Sequence, residues 1–240
     1  MNRAPLAFLL ITTICVQFLF GTAQRGDVLF IRGVKYYIQT NPLERYFEQN
    51  PERRPWSIEL FQNLFIFGLT TFQTVISTDL WRGYVASWKL EDSKLILTDV
   101  QIQDANPLPF EEATWRSVLD KIFPGQREVF AEWYSGHIIV PTGKLAKYVH
   151  MGYASEYKSY LIYWLKNGVI TKEWRGKRRA FKKFRKAQFE LFKKTDKYRI
   201  AWLEERKNPD NADLSDRELE EFLFQFYTEE IMSMMGESIR

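Results

Sequence analysis

The sequence predicts an α+β fold, mainly antiparallel sheet, followed by a C-terminal helical hairpin. Three observations predict it. Short runs rich in Tyr, Trp, Val and Ile, punctuated by Gly, Asn and Asp, recur up to about residue 175. From Lys177 to Glu205 neither proline nor glycine interrupts the chain, and Phe181, Phe184, Leu191, Phe192 and Leu203 return at helical spacing. After the break "NPDNAD", Ser215 and Glu218 stand at capping-box spacing ahead of Leu219, Phe222, Leu223 and Phe226, with Leu214 and Leu219 placed as a hydrophobic staple.

Taken in order, the chain opens with "MNR", then the uncharged run "LAFLLITTICVQFLF", then "GTA", which puts small residues at the −3 and −1 positions of a cut after Ala23. These are the three parts of a secretory signal peptide. An uncleaved anchor is the alternative, but the run is shorter than the roughly 20 residues a spanning helix needs. The expectation is an exported protein (periplasmic, cell-surface or secreted) with residues 1–23 removed. The single cysteine, Cys15, leaves with that segment, which excludes disulfides, thiolate chemistry and Cys-based metal sites in the mature chain.

Residues 24–175 form the β-rich domain. "DVLFIRGVKYYIQTNPLERYF" reads as two strands around Gly33, with Asn41-Pro42 marking the exit. "IELFQNLFIFGLTTFQTVIST" is apolar all round and reads as a buried strand or strand pair. In "RGYVASWKLEDSKLILTDVQI", Tyr84, Ala86, Trp88 and Leu90 alternate, "EDSK" turns the chain and Leu95 to Ile102 return. "PFEEATWRSVLDKIF" spaces Trp115, Val118, Leu119 and Ile122 as a short amphipathic helix, and "FAEWYSGHIIVP" as a strand pair bent at Ser135-Gly136. "YKSYLIYWLKNGVITKEW" is a hairpin, because Asn167-Gly168 suits the two positive φ angles of a type I′ turn. Residues 176–240 complete the chain as a basic helix and an acidic one.

Charge follows that division. The formal net charge is +4, yet residues 172–207 carry 15 Lys/Arg against 5 Asp/Glu, and residues 208–240 carry 2 against 9. The stretch "TKEWRGKRRAFKKFRKAQ" is therefore read as a packed helix first and a gripping surface second. Its regular phenylalanines demand burial, while Arg175, Lys177, Arg178, Arg179, Lys182 and Lys183 can meet an anionic polymer, a glycan or lipid headgroups. A second candidate ligand site is Trp81 with Arg82 in "DLWRGYVASW", a stacking platform beside a cation. The C-terminal helices offer a surface to a protein partner, and export argues against nucleic acid in vivo.

Catalytic patterns are sparse. The histidines His137 and His150 lie near Ser135 and Ser155, with Asp79, Glu132 and Glu156 as carboxylates that a triad would need. Glu111, Glu112, Asp120, Glu128 and Glu132 flank Trp133, where a glycosidase would pair carboxylates beside an aromatic platform, although the outer face of a helix would look the same. Neither a cofactor motif nor a metal-ligand spacing is present. The eight tryptophans read chiefly as core. The expected function is a non-catalytic binding or structural module of the cell envelope. The alternative is an envelope hydrolase using His150, His137 or Glu132, the last with paired carboxylates near Trp133.

In "TNPLERYF", "DLWRGYVASWKLEDSKLILTDV", "IFPGQREVFAEWYSGHIIVPTGKL" and "YVHMGYASEY" the chain resembles a bacterial exported-protein family. Its members share an Asn-Pro-Leu-Glu step, a Trp-Arg-Gly-Tyr strand and a strand–turn–strand ending in Pro-x-Gly. The resemblance covers residues 27 to 174. It implies a β-rich fold and no catalytic residue.

Overall fold

The computed structural model describes residues 23–55, 79–80, 82–103 and 114–233. The expected leader up to residue 22, the apolar segment 58–78, Trp81, Glu111 and Glu112 lie outside the described residues.

Among the described residues eleven strands form: β1 Val28–Ile31, β2 Val34–Tyr37, β3 Val85–Glu91, β4 Lys94–Gln103, β5 Trp115–Ser117, β6 Val129–Phe130, β7 Gly136–Pro141, β8 Leu145–Lys147, β9 Glu156–Tyr157, β10 Ser159–Lys166 and β11 Val169–Lys177. Nine share one sheet along the path β2-β1-β3-β4-β11-β10-β7, with β5 and β6 also on β4, while β8 and β9 pair separately. Pairing is antiparallel throughout except between β1 and β3. The two halves of the sheet meet around the Lys94–Val169 pair, where Leu95 N–H donates to the Gly168 carbonyl and Ile170 N–H to the Ser93 carbonyl. Its far ends approach each other, because Gln39 N–H, just past β2, donates to the Ile139 carbonyl of β7 at 2.9 Å. The sheet thus curls around one core.

Local chemistry explains the hairpins. Arg32-Gly33, Asp92-Ser93 and Asn167-Gly168 all have positive φ, the geometry whose twist matches that of the flanking strands. Leu29, Tyr84, Ala86, Trp88, Leu95, Leu97, Ile138, Val140, Leu161 and Tyr163 fill the space inside the curl. Helix α1 (Pro42–Gln49) adds Leu43 and Phe47 to it. Strand β10 is buried on both faces from Tyr160 to Leu165, which is why it reads as one continuous apolar run.

Its outer face carries a second core. Ile139, Tyr160, Ile162 and Trp164 pack against Phe181, Phe184, Phe189 and Phe192 of α3 (Arg178–Phe192, after a short α2 at Leu119–Ile122) and against Ile231 and Met232 near the chain's end. Tyr160 and Phe181 stack with centroids 3.6 Å apart. Helix α4 (Asp196–Lys207) and α5 (Asp216–Phe226) meet through Ala201, Leu219 and Leu223, and α6 (Thr228–Ser233) returns to β7. The molecule is an α+β protein with a mostly antiparallel sheet and C-terminal helices.

Helix α1 replaces the plain exit expected at Asn41-Pro42, and four further details differ from the sequence reading. The basic segment is two helices, because Thr195 Oγ1 accepts from Tyr198 N–H and caps a new helix after the Lys193–Thr195 turn; the helical pair is realised as four helices. Arg175 to Lys177 belong to β11, whose exposure alternates residue by residue. Trp115 to Ser117 pair with β4, leaving only one helical turn after them. The two strands of "FAEWYSGHIIVP" pair with β4 and β10 and not with each other. The capping box at Ser215 and Glu218 forms as read, with both reciprocal hydrogen bonds present.

Candidate binding surface and buried charge network

The first candidate, Arg82, turns inward. Its side chain and that of Asp27 are both fully shielded from solvent, and Arg82 Nη2 meets Asp27 Oδ1 at 2.8 Å. It cannot reach an external ligand, and the carboxylate it holds is internal. Asp27 also accepts from Trp88 Nε1 and Ala86 N–H, each at 3.1 Å. Arg82 Nη1 donates to the Tyr153 hydroxyl at 2.6 Å, and that hydroxyl donates to Asn41 Oδ1 at 2.8 Å. The guanidinium lies 5.3 Å from the Tyr84 ring centroid, and the Tyr84 hydroxyl donates to Glu44, which Arg54 grips with two hydrogen bonds. Burial works against the Arg82 charge, but the Tyr153 oxygen and the Asp27 carboxylate outweigh it and keep the guanidinium protonated. Asp27 is joined in this network from three separate stretches of chain: Asn41 and Glu44, then Arg82, Tyr84 and Trp88, then Tyr153. These residues tie β1, α1, β3 and the loop before β9 together.

The histidines part company. His137 is fully buried on β7, edge-on to Trp164 and Phe184 at 5.3 Å each. Its Nδ1 lies 2.9 Å from the Met232 carbonyl, so Nδ1 carries the hydrogen and donates, while Nε2 is buried with no partner among the described residues. Burial pulls its pKa down to about 4, against a weaker upward pull from that carbonyl. A neutral imidazole joining sheet to helix is a structural group. His150, by contrast, is exposed, with Nδ1 2.8 Å from the Tyr148 hydroxyl. Ser155 Oγ is engaged by the Val149 backbone and Ser135 Oγ by Asn167, so neither serine–histidine contact forms among the described residues.

The His137 environment makes a prediction. The folded pKa is depressed below the usual 6.5, so the unfolded chain binds more protons between pH 6.5 and pH 4. The histidine's contribution is complete above pH 6.5 and is lost as pH falls towards 4, about 3 kcal/mol in all. Urea denaturation of the parent and of His137→Leu at pH 7.5 and pH 4.5 is expected to show a markedly smaller acid loss in the variant. Equal losses would mean that His137 does not stay neutral in the fold.

The carboxylates near Trp133 disperse. Glu132 is exposed and borders an open recess of about 310 Å³ with Tyr46, Phe123 and Trp133, whose indole stacks on Phe123 at 5.6 Å. Glu128 pairs with Lys89, and Asp120 accepts from Gly125 N–H. Of the other carboxylates a triad would need, Asp79 pairs with Arg25 and Glu156 with Arg178 and Lys182. Among the described residues there is no group of three His, Cys, Asp or Glu side chains able to hold a metal ion, and no helix long and apolar enough to cross a membrane.

The basic stretch is packed along one face and charged along the other. One face of α3 is cemented into the second core, and Arg185 is buried there. It donates to the Phe224 carbonyl and to Thr228 Oγ1 at 2.8 Å each and lies over the Phe224 ring, while burial lowers its pKa to about 10. Arg178 and Lys182 share Glu156, whose carboxyl they hold below its ordinary pKa despite burial. The acidic side chains of α5 form ion pairs with the basic stretch at the far end of α3, where Glu220 meets Lys193, and on α4, where Asp216 meets Arg206. Arg175 and Lys177 on β11, with Arg179, Lys183 and Lys186 on α3, remain exposed and have no ion-pair partner among the described residues. The spacing of Lys186 from Lys182 and Lys183 puts it on the same helix face.

No protein-family model, curated protein or solved structure matches this chain.

Proposed function

We propose that this is an exported, non-catalytic binding module of the cell envelope, and that it holds an anionic polymer or headgroup layer against β11 and α3. The observation that carries the reading is the run of five exposed cations: Arg179, Lys183 and Lys186 on α3, whose opposite face is locked into the core, and Arg175 and Lys177 on β11, whose other face is half-buried. A helix that must only be solvated gains nothing from like charges spaced three and four residues apart, which repel one another. A rigid array of that kind costs little entropy to engage a polyanion. Glu156 neutralises the two cations nearest the β8–β9 hairpin and so sets one border of the surface.

Each basic residue close to an anionic layer contributes about 1 kcal/mol. Reversing three of them in Arg179→Glu/Lys183→Glu/Lys186→Glu is therefore expected to weaken binding by roughly 100-fold or more. Sedimentation with phosphatidylglycerol vesicles, and separately with heparin as a soluble polyanion, distinguishes a lipid from a glycan source. Binding of the parent chain should fall as salt shortens the screening length. Binding to neither probe at low salt, or binding that the triple reversal leaves intact, would sink the proposal.

A further inference from the structure

A second surface lies across the molecule's β2 end and has a different chemistry. Thirteen residues line an open recess of about 250 Å³, and none is charged, in a chain where 27% of residues are. Four of them are tyrosines: Tyr37, Tyr148, Tyr153 and Tyr157. Tyr37 and Tyr148 are more than half exposed, at 58% and 57%, which is unusual for rings that serve only as packing. The volume falls below the ~300 Å³ at which pockets for drug-sized ligands begin, so the space suits a single ring.

The polar groups in the recess are held in place by the fold. Gln39 is buried, and its Nε2 donates to the Tyr153 and Ser155 carbonyls at 3.2 Å each. Those two bonds fix the amide's orientation and leave Oε1 as its acceptor, which takes no hydrogen bond among the described residues. The backbone of the same residue is pinned by its bond to Ile139. The hydroxyls of Tyr37 and Tyr157 likewise make no hydrogen bond among the described residues. Lys35 Nζ sits over one face of the Tyr37 ring at 5.1 Å, and the opposite face is left for a ligand. A positioned acceptor, two hydroxyls able to donate or accept, and flat exposed rings in a lining without charged residues complement a ligand with an apolar C–H face and a rim of hydroxyls.

We infer that this recess is a subsite for one ring of a neutral carbohydrate chain. The tyrosines stack on the sugar's C–H face, Gln39 Oε1 accepts from a hydroxyl, and the open mouth lets the rest of the chain leave on either side. A charged sugar would gain no counter-charge from the lining. Removal of residues up to Ala23 would take away one of the thirteen lining residues and none of the tyrosines. The inference does not depend on the basic surface, whose residues it does not share.

The test is calorimetric titration of the full chain with maltohexaose, cellohexaose and chitohexaose. At least one is expected to bind, with Tyr37→Ala and Tyr148→Ala each weakening it by tenfold or more while the thermal transition stays in place. Both rings are exposed, so the variants should fold. Lys183→Glu is expected to leave sugar binding unchanged, which separates this site from the polyanion surface. No binding by any of the three, or binding that survives the Tyr37→Ala/Tyr148→Ala double substitution, would overturn the inference.

Discussion

Asp27→Ala is expected to cost about 3–5 kcal/mol of stability, a large share of the 5–15 kcal/mol that holds a typical domain together. The reason is what it leaves behind. Arg82 stays fully buried beside the Tyr84 ring, with its Nε already lacking a partner among the described residues, and with only neutral hydrogen-bond acceptors, the Tyr153 hydroxyl and the Arg25 carbonyl, remaining among them. Trp88 Nε1 and Ala86 N–H lose their acceptor at the same time. Arg82→Met should cost a similar amount, since the Asp27 carboxylate is then the orphan. The double substitution Asp27→Leu/Arg82→Met removes both charges and is expected to recover much of the loss, as well-packed apolar pairs do in place of buried ion pairs. Urea unfolding followed by tryptophan fluorescence measures all three. A single substitution costing under 1 kcal/mol, or a double no better than either single, would show that the charges are not desolvated as the geometry requires.

The same network marks the limit of what the sequence could disclose. Arg82 between Trp81 and Gly83 looks like a residue offered to solvent, because nothing local says that Asp27, far back in the chain, will arrive beside it. A buried ion pair is a tertiary event with no periodicity. Elements governed by local physics were legible. Asn167-Gly168 demanded a turn, and the Ser215 to Glu218 spacing demanded a cap. Helix α1 was missed although Pro42 at its first position is a usable signal. The clue was masked because Asn41, the residue that would cap it, spends its side chain on Tyr153 instead. The break between α3 and α4 was legible in Thr195 before Asp196, but continuous helical periodicity across "KKTDKY" outweighed a single capping residue in the reading. The basic surface was half legible. The sequence placed the cations on a helix, whereas Arg185 turning inward, and Glu156 arriving from another strand to neutralise Arg178 and Lys182, depended on the fold.

Phe184→Ala tests the seam between sheet and helices. The ring is 3% exposed and stands edge-on to His137 at 5.3 Å and to Trp164 at 6.0 Å, so its removal forfeits burial and leaves a cavity against rigid strands. The expected cost at pH 7.5 is about 3–5 kcal/mol. A second effect separates this site from any other core phenylalanine. The cavity would open beside His137, whose Nε2 is now shielded and unpartnered. Water admitted there can solvate the imidazolium, and the folded-state pKa, held at about 4 by burial, should rise towards the ordinary value. As it rises, the unfolded chain no longer binds more protons than the folded one between pH 6.5 and pH 4, and the acid loss of stability shrinks. Phe184→Ala is thus expected to be much less stable than the parent at pH 7.5 and less different from it at pH 4.5. Phe192→Ala, which removes a ring of the same core with no contact to His137, should lower stability by a similar amount while keeping the parent's pH dependence. Parallel curves for all three chains would show that His137 does not depend on Phe184 for its dry surroundings.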